Sequence, residues 1–200
     1  MTSPDLILAS KSTARRQILE GAGISFQWMD ANIDEDGLKQ QAIKSGSGPK
    51  SLALELARAK AHQVAKNYPD AYVIGCDQLL SLGGKNFDKP RDISEAMAHI
   101  QAFRGRTHTL TAGVVIMKSA DVIWSHVAEA NMKMRDISDA FITHYLDSEG
   151  DRVLSSVGAY RLEGMGAQLF ADISGDYFTV LGLPLLPLLE ELRNQGILDQ

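Results

Sequence analysis

Apolar and polar positions follow two patterns along this chain, and together they predict an α/β protein. Short apolar or β-branched runs predict strands at residues 5–9, 24–29, 72–74, 107–117, 122–134 and 158–162. Apolar residues spaced three or four apart predict helices at residues 13–22, 51–66, 94–103, 138–146 and 182–194. No linker between these segments is long enough to require independent domains, so we expect one domain over residues 1–200.

Composition and charge narrow the class of protein. The chain has 200 residues, of which 44% are hydrophobic and 22% charged, which is typical of a globular protein with an ordinary core. A net charge of −5 argues against a broad surface for nucleic acid or for an anionic membrane, so a bound polyanion must be small and must meet a local cluster of cations. One cysteine, Cys76, excludes an internal disulfide framework and favours a reducing cytoplasm. We expect neither a signal peptide nor a membrane span, because no apolar run approaches the ~20 residues that a span needs.

The stretch 73–90 is the first candidate for chemistry. The apolar run at 72–74 stops at Gly75 and Cys76 and is followed at once by Asp77. A glycine turn at 83–84 then leads back to Lys89, which precedes a proline. A buried strand that ends in a carboxylate, with a lysine returned by a turn, can hold a metal-bound phosphate.

Two arginines are placed where a helix does not favour them. Arg15 and Arg16 fall in the first turn of the helix predicted at 13–22, and a helix N-terminus is already electropositive. A bound phosphate would resolve the conflict through backbone N–H groups, the preceding hydroxyls and both guanidiniums. The alternative is that both arginines point into solvent. The hydroxyls of Ser10, Ser12 and Thr13 favour the anion site.

The remaining signals are carboxylates and cations without a familiar motif. The chain has no GxxxxGKS or GxxxxGKT loop, no GxGxxG after a strand and no GxSxG, and its histidines lack metal-ligand spacing. The acidic stretch 30–36 is typical of a solvated turn unless it faces Asp77. Carboxylates at Glu35 and Asp77 would suit Mg²⁺ or Mn²⁺ beside a phosphate. These residues alone predict only an α/β protein that handles phosphate.

Seven segments, in order, resemble one family. They are LILASKSTARRQIL, Asp34-Glu35, LALELARAKA, VIGCDQ, FDKP, GAYRLEG and ISGDYFTVLGLPL. From residue 6 to about residue 188 the chain resembles the Maf-family nucleoside triphosphate pyrophosphatases. The resemblance implies a Maf/Ham1-like (ITPase-like) α/β fold, with a long mixed sheet between two α/β lobes and a central cleft. It also implies hydrolysis of a nucleoside triphosphate to the monophosphate and pyrophosphate with Mg²⁺ or Mn²⁺, a homodimer, removal of non-standard nucleotides, and a link to septum formation.

The resemblance also implies residue roles. Asp77 matches the proton acceptor, and Glu35 matches a metal-binding or catalytic acid, so both are expected metal ligands. Lys89 is expected to act in catalysis, and with Lys60 it matches the two lysines that contact the phosphates. The other matches are substrate-binding residues: Ser10, Arg15 and Arg16 for the phosphates, and Ala14, Gln78 and Glu163 for the base.

Base preference is where the chain departs from part of the family. Members that prefer dTTP and UTP have threonine after the catalytic aspartate and glutamine where this chain has Glu163, whereas Gln78 and Glu163 resemble the subfamily that prefers 7-methyl-GTP. A carboxylate at 163 could accept hydrogen bonds from the N1–H and N2 amine of guanine. That subfamily usually has tryptophan where this chain has Ala14, so an aromatic plate for the base is absent from that position. A dTTP/UTP pyrophosphatase, a non-catalytic nucleotide-binding regulator of septum formation and a scaffold remain the alternatives.

Overall fold

A computed structural model describes residues 6–119 and 121–199, apart from the side chain of Ile43. Its strands are β1 (Leu6–Leu8), β2 (Gln27–Trp28), β3 (Tyr72–Leu82), β4 (Lys85–Phe87), β5 (Thr107–Lys118), β6 (Asp121–Met134) and β7 (Phe170–Ser174). Its α-helices are α1 (Thr13–Gly21), α2 (Glu35–Ser45), α3 (Pro49–Ala65), α4 (Ile93–Phe103), α5 (Asp139–Glu149), α6 (Tyr177–Val180) and α7 (Leu185–Asn194). Two 3₁₀ segments lie at Gly150–Ser155 and Met165–Leu169.

The strands form one mixed sheet, which confirms the predicted α/β class. The order is β2-β1-β3-β5-β6-β7, and β4 pairs with β3 outside this path. β1 runs parallel to β2 and to β3, whereas β4 is antiparallel to β3 and β7 is antiparallel to β6. Two side-chain bonds, Thr109 to Asn131 and Thr111 to Glu129, indicate that β5 and β6 are antiparallel, because one strand advances as the other returns.

Several predicted elements differ from the structure. β3 continues to Leu82, so Asp77 lies within a strand and not at its end as predicted. Helix α2 was not predicted, because the acidic residues at its start are typical of a turn. No strand forms at 158–162, where the chain makes turns. Of the strand predicted at 5–9, residue 5 lies outside the described part of the chain.

The glycine turn is as predicted. Gly83 and Gly84 have φ values of 58° and 82°, and Leu82 pairs with Lys85 on either side of them. A two-residue hairpin connection with positive φ at both positions favours glycine.

The chain divides into two compact units, called unit 1 and unit 2 here. Unit 1 comprises the described residues of 1–78, 112–128 and 177–200, and unit 2 those of 79–111 and 129–176. The single domain over residues 1–200 stays a prediction. None of the helices in the described residues is long and apolar enough to span a membrane.

Successive side chains of the strands in unit 1 point to opposite faces of the sheet and so contribute to two separate apolar layers. One layer contains Leu8, Ile74 and Cys76 from the strands together with residues of α1 and α7. The other contains Ile7 and Val73 together with alanines of α3. Since successive side chains of a strand point to opposite faces, Asp77 lies on the same face as Val73, toward α3.

Helix α3 lies very close to the sheet because glycine and alanine meet there. A Cβ added to Gly75 would lie 2.1 Å from the carbonyl oxygen of Ala57 and 2.7 Å from the Cβ of Ala61. At Gly113 it would lie 2.8 Å from the carbonyl oxygen of Ala53. This close approach brings the polar residues of α3 within reach of β3.

Unit 2 has an aromatic core beside its part of the sheet. His108 is buried, and its Nε2 lies 2.8 Å from the hydroxyl of Tyr160. The rings of Phe103 and Phe170 pack against it. Burial lowers the pKa of His108 to about 4, because the charged imidazolium would lose its solvation. Its Nδ1 is also enclosed and has no hydrogen-bond partner among the described residues.

Candidate active site

The two carboxylates predicted to act together lie against one lysine in unit 1. The Nζ atom of Lys60 is 2.5 Å from Oδ1 of Asp77 and 2.8 Å from Oε1 of Glu35. The side chains of Lys60 and Asp77 are 13% and 8% exposed, and that of Glu35 is 43% exposed. Three elements, α2, α3 and β3, therefore place their functional groups at one point.

These carboxylates fit a hard divalent cation. They already share one cationic position, that of the Lys60 ammonium group, and carboxylate oxygens are the ligands that Mg²⁺ and Mn²⁺ prefer. Among the described residues no group of three or more histidine, cysteine, aspartate or glutamate side chains could hold a metal. Mg²⁺ usually takes one or two protein carboxylates and completes its shell with water and substrate phosphate, so two carboxylates are consistent with such a site.

Arg15 does not point into solvent. Its Nε donates to the carbonyl oxygen of Gly182 (2.9 Å), and its Nη1 donates to the carbonyl oxygen of Cys76 (3.0 Å) and to Oγ of Ser10 (3.3 Å). One guanidinium thus joins α1, β3 and the segment before α7. The solvent alternative is wrong for this arginine, and its contact with phosphate stays a prediction.

Arg16 is held by an aromatic ring. Its guanidinium carbon lies 4.3 Å from the centroid of Trp28, which is 48% exposed. Its Nη2 donates to Oγ1 of Thr13 at 3.1 Å. Cation–π contact holds this side chain against the ring, and among the described residues its enclosed Nε has no hydrogen-bond partner. Ser12 caps helix α1, because its Oγ accepts from the backbone N–H of Arg15.

The segment ISGDYFTVLGLPL, on which the resemblance partly rests, contacts the part of β3 that carries Asp77. The side-chain amide of Gln78 donates to the carbonyl oxygens of Thr179 (2.8 Å) and Val180 (3.2 Å). The thiol of Cys76 donates to the carbonyl oxygen of Gly182 (3.2 Å). Cys76 is buried in the core, and this burial raises the pKa of its thiol. Gly182 has a φ of 94°, which favours glycine at this position.

The other predicted residues are placed individually. Ala14 is half-buried on α1. Lys89 and Glu163 belong to unit 2, and both are exposed. The structure therefore brings together Asp77, Glu35 and Lys60, and separately Arg15 with Ser10. The roles of all these residues in catalysis and binding stay predictions.

Comparisons with known proteins identify the family. The family model described as Maf-like protein matches residues 5–195, and this chain belongs to the Maf family. A 7-methyl-GTP pyrophosphatase of Rhizobium meliloti (strain 1021) is 50% identical over 98% of this chain and 98% of its own. Another of that name, from Brucella suis biovar 1 (strain 1330), is 50% identical over 97% and 98%. The nucleoside triphosphate pyrophosphatase of Granulibacter bethesdensis (strain ATCC BAA-1260 / CGDNIH1) is 48% identical over 96% and 98%.

Family membership confirms the resemblance drawn from the seven segments. Among solved structures, a HAM1 protein from Coxiella burnetii has a TM-score of 0.42 and 13% identity over 67% of this chain and 74% of its own. The fold assignment rests instead on the strand order of the sheet and on the family match.

Proposed function

We propose that this protein is a metal-dependent nucleoside triphosphate pyrophosphatase that prefers 7-methyl-GTP or a similar modified nucleotide. The observation that carries the proposal is the pair of carboxylates, Asp77 and Glu35, that share one cationic position at Lys60. The names of relatives about 50% identical over nearly the whole chain support the reaction and the base.

The reaction is the hydrolysis of one phosphoric anhydride bond. Water attacks the α-phosphorus, a new oxygen–phosphorus bond forms, and the bond between the α-phosphorus and the bridging oxygen breaks to release pyrophosphate. The Asp77 carboxylate takes the proton of the attacking water. Lys60, bonded to Asp77 at 2.5 Å, orients that carboxylate and adds positive charge beside the phosphates.

Maf-family pyrophosphatases are generally metal-dependent. Asp77 and Glu35 would hold Mg²⁺ or Mn²⁺, and the bound metal supplies positive charge that offsets the charge developing on the phosphate oxygens. The predicted phosphate contacts are Ser10, Arg15, Arg16, Lys60 and Lys89. Arg15 and Arg16 are already fixed by Cys76, Gly182 and Trp28, so binding a phosphate costs little additional side-chain entropy.

Selection of the base is assigned to Gln78 and Glu163. The amide nitrogen of Gln78 is used by two backbone carbonyls, so its remaining polar atom is the oxygen, an acceptor for a donor on the base. An exposed carboxylate at Glu163 suits the adjacent N1–H and N2 amine of guanine, and its charge suits the cationic 7-methyl ring. Ala14 supplies no stacking ring, and we propose that binding does not need one there.

The first test is pyrophosphate release with Mg²⁺ or Mn²⁺ from 7-methyl-GTP, GTP, dTTP, UTP, CTP and ITP. The proposal expects 7-methyl-GTP to have the highest kcat/KM. If dTTP and UTP lead, the chemistry holds and the base assignment is wrong. If no nucleotide is hydrolysed but triphosphates bind in a calorimeter, the protein is the non-catalytic regulator.

We further propose that residues 1–200 form one domain, that the protein is a homodimer in the cytoplasm, and that it binds neither nucleic acid nor membrane. The single family match over residues 5–195 supports the first point, and the net charge of −5 supports the last. Sedimentation measures the oligomeric state directly: a monomer at micromolar concentration contradicts the homodimer.

A further inference from the structure

The loop that carries Glu163 has no strand or helix of its own. It lies in unit 2 between the 3₁₀ segments Gly150–Ser155 and Met165–Leu169. Buried backbone groups in such a loop need partners outside regular structure. Two side chains of helix α5 supply them, Tyr145 and Glu149, which are one helical turn apart.

Tyr145 bonds to the loop on one side of Glu163. Its side chain is fully buried, and its hydroxyl donates to the carbonyl oxygen of Ala159 (3.4 Å) and accepts from the backbone N–H of Arg161 (3.2 Å). Ala159 has a φ of 57°, which a residue with a Cβ rarely adopts. The hydroxyl of Tyr145 therefore holds a backbone conformation that the sequence does not favour locally.

Glu149 bonds to the loop on both sides of Glu163. Its carboxylate is only 5% exposed. Oε2 lies 3.0 Å from Nη1 of Arg161 and 3.5 Å from Nη2 of Arg152, and Oε1 accepts from the backbone N–H of Met165 at 3.2 Å. A carboxylate this buried is stable only with such partners, so the loop and Glu149 depend on each other.

Two glycines show how closely the loop is packed. A Cβ at Gly164 would lie 2.6 Å from Oε1 of Glu149, and one at Gly166 would lie 2.3 Å from the carbonyl oxygen of Arg161. Residues on both sides of Glu163, at 161 and at 164–165, are thus fixed by α5 or by the loop itself. Glu163 is exposed between these fixed points.

We propose that Glu149 and Tyr145 are positioning residues for nucleotide selection: they hold the loop between the two 3₁₀ segments so that the Glu163 carboxylate is presented in one place. This inference rests on the proposed function, because it takes Glu163 as the residue that reads the base. Recognition by paired hydrogen bonds requires a fixed acceptor, and a displacement of about 1 Å is enough to lose it.

The test compares nucleotides, because a merely structural defect lowers the activity on all of them alike. The quantity is the ratio of kcat/KM for 7-methyl-GTP to kcat/KM for UTP. In Glu149→Gln and Tyr145→Phe we expect this ratio to fall about 10-fold, toward that of Glu163→Gln. The control is Asp139→Asn, at a residue that is also on α5. It removes the negative charge that pairs with Arg104 but none of the loop contacts named above, so it should leave the ratio unchanged.

The outcomes separate this inference from the proposed function. If Glu163→Gln lowers the ratio but neither α5 variant does, the positioning role is wrong and the proposed function stands. If Glu163→Gln leaves the ratio unchanged, Glu163 does not read the base and the inference fails, although pyrophosphate release can still be measured.

Hydrogen exchange gives a readout that does not depend on activity. Amides in a peptide spanning residues 158–166 should exchange at least about 10-fold faster in Glu149→Gln than in the wild type or in Asp139→Asn. Unchanged exchange there would show that the carboxylate does not hold the loop, and the inference would be overturned even if no nucleotide were hydrolysed.

Discussion

Lys60 and Asp77 form an ion pair in which Nζ lies 2.5 Å from Oδ1 and neither side chain is more than 13% exposed. The pair joins α3 to β3, and Glu35 at the start of α2 completes it at 2.8 Å. At this burial, removing one partner leaves the other charge poorly solvated, which costs more than the pair contributes when intact.

Lys60→Met keeps the aliphatic stem and removes the charge. Without divalent metal we expect the free energy of unfolding to fall by about 3 kcal/mol, because Asp77 loses its cation in a buried position. Adding Mg²⁺ should restore part of this loss and should stabilise the variant more than the wild type. In the variant the Lys60 ammonium group no longer competes with the metal for the two carboxylates. Urea unfolding with EDTA and with Mg²⁺ measures both effects.

The matched control is Arg58→Met on the same helix, where the side chain is exposed and the charge change is identical. It should move the unfolding free energy by less than about 0.5 kcal/mol. Equal responses of the two variants to Mg²⁺ would contradict metal binding at Asp77 and Glu35.

Asp77→Asn preserves the shape of the side chain and removes the proposed proton acceptor. We expect kcat for pyrophosphate release to fall by at least ~10²-fold while circular dichroism shows a folded protein. Asp36→Asn is a suitable control, because Asp36 is an exposed acid in the first turn of α2, next to Glu35 in the chain. Near-normal turnover in Asp77→Asn would remove Asp77 from the mechanism.

Gly75→Ala tests whether the close approach of α3 is required. The new Cβ would meet the carbonyl oxygen of Ala57 at 2.1 Å, so either α3 or β3 must shift, and we expect a loss of about 3 kcal/mol or more. At Gly21 the backbone is helical, and apart from the chain neighbours and the helix backbone no described atom would lie within 4 Å of the new Cβ. The same substitution there should stabilise by about 0.5–1 kcal/mol. Thermal unfolding measures the stability of both variants. Similar stabilities would mean that α3 packs loosely against β3.

His108 makes stability depend on pH in a defined window. Its pKa is about 4 in the folded protein and ordinarily 6.5, so below pH 6.5 the unfolded chain binds a proton that the folded protein does not. Its contribution is therefore complete above pH 6.5 and is lost as the pH falls toward 4, by about 2.5 kcal/mol between pH 7.5 and 4.5.

His108→Gln removes this titration, so the pH dependence of its unfolding free energy should be shallower than that of the wild type by the same amount. Denaturant titrations at the two pH values give the difference directly, and other titrating groups cancel in the comparison. Parallel curves for the two proteins would mean that His108 is protonated while buried.

Much of the fold followed from the sequence because periodicity and caps are local signals. The long strands β5 and β6, helix α3 and the glycine turn at 83–84 were all anticipated. Helix α2 was missed because Glu35 and Asp36 favour both a turn and the first turn of a helix. The strand at 158–162 was wrong because the contacts that shape that segment, from Tyr145 and Glu149, come from another element.

For the site, sequence reasoning found the residue types but not their partners. Glu35 and Asp77 were expected to face each other only if the acidic stretch lay near β3, and the structure places both against Lys60. The residue pattern alone did not distinguish Lys60 from an ordinary helical lysine, and only the family resemblance singled it out. Its burial depends on Gly75 and Ala57 letting α3 approach the sheet, which is a tertiary effect.

Unit 1 is assembled from three separate stretches of chain, and this has a consequence for biosynthesis. Its core cluster includes Leu8 and Ile74 near the amino end and Leu188 of α7, and Arg15 donates to the carbonyl oxygen of Gly182. A ribosome releases the amino-terminal segments first. Although Asp77, Glu35 and Lys60 are among the first 78 residues, their surroundings are complete only when the last stretch has emerged. A nascent chain would therefore have the proposed catalytic groups long before it had the last stretch of chain that supports them.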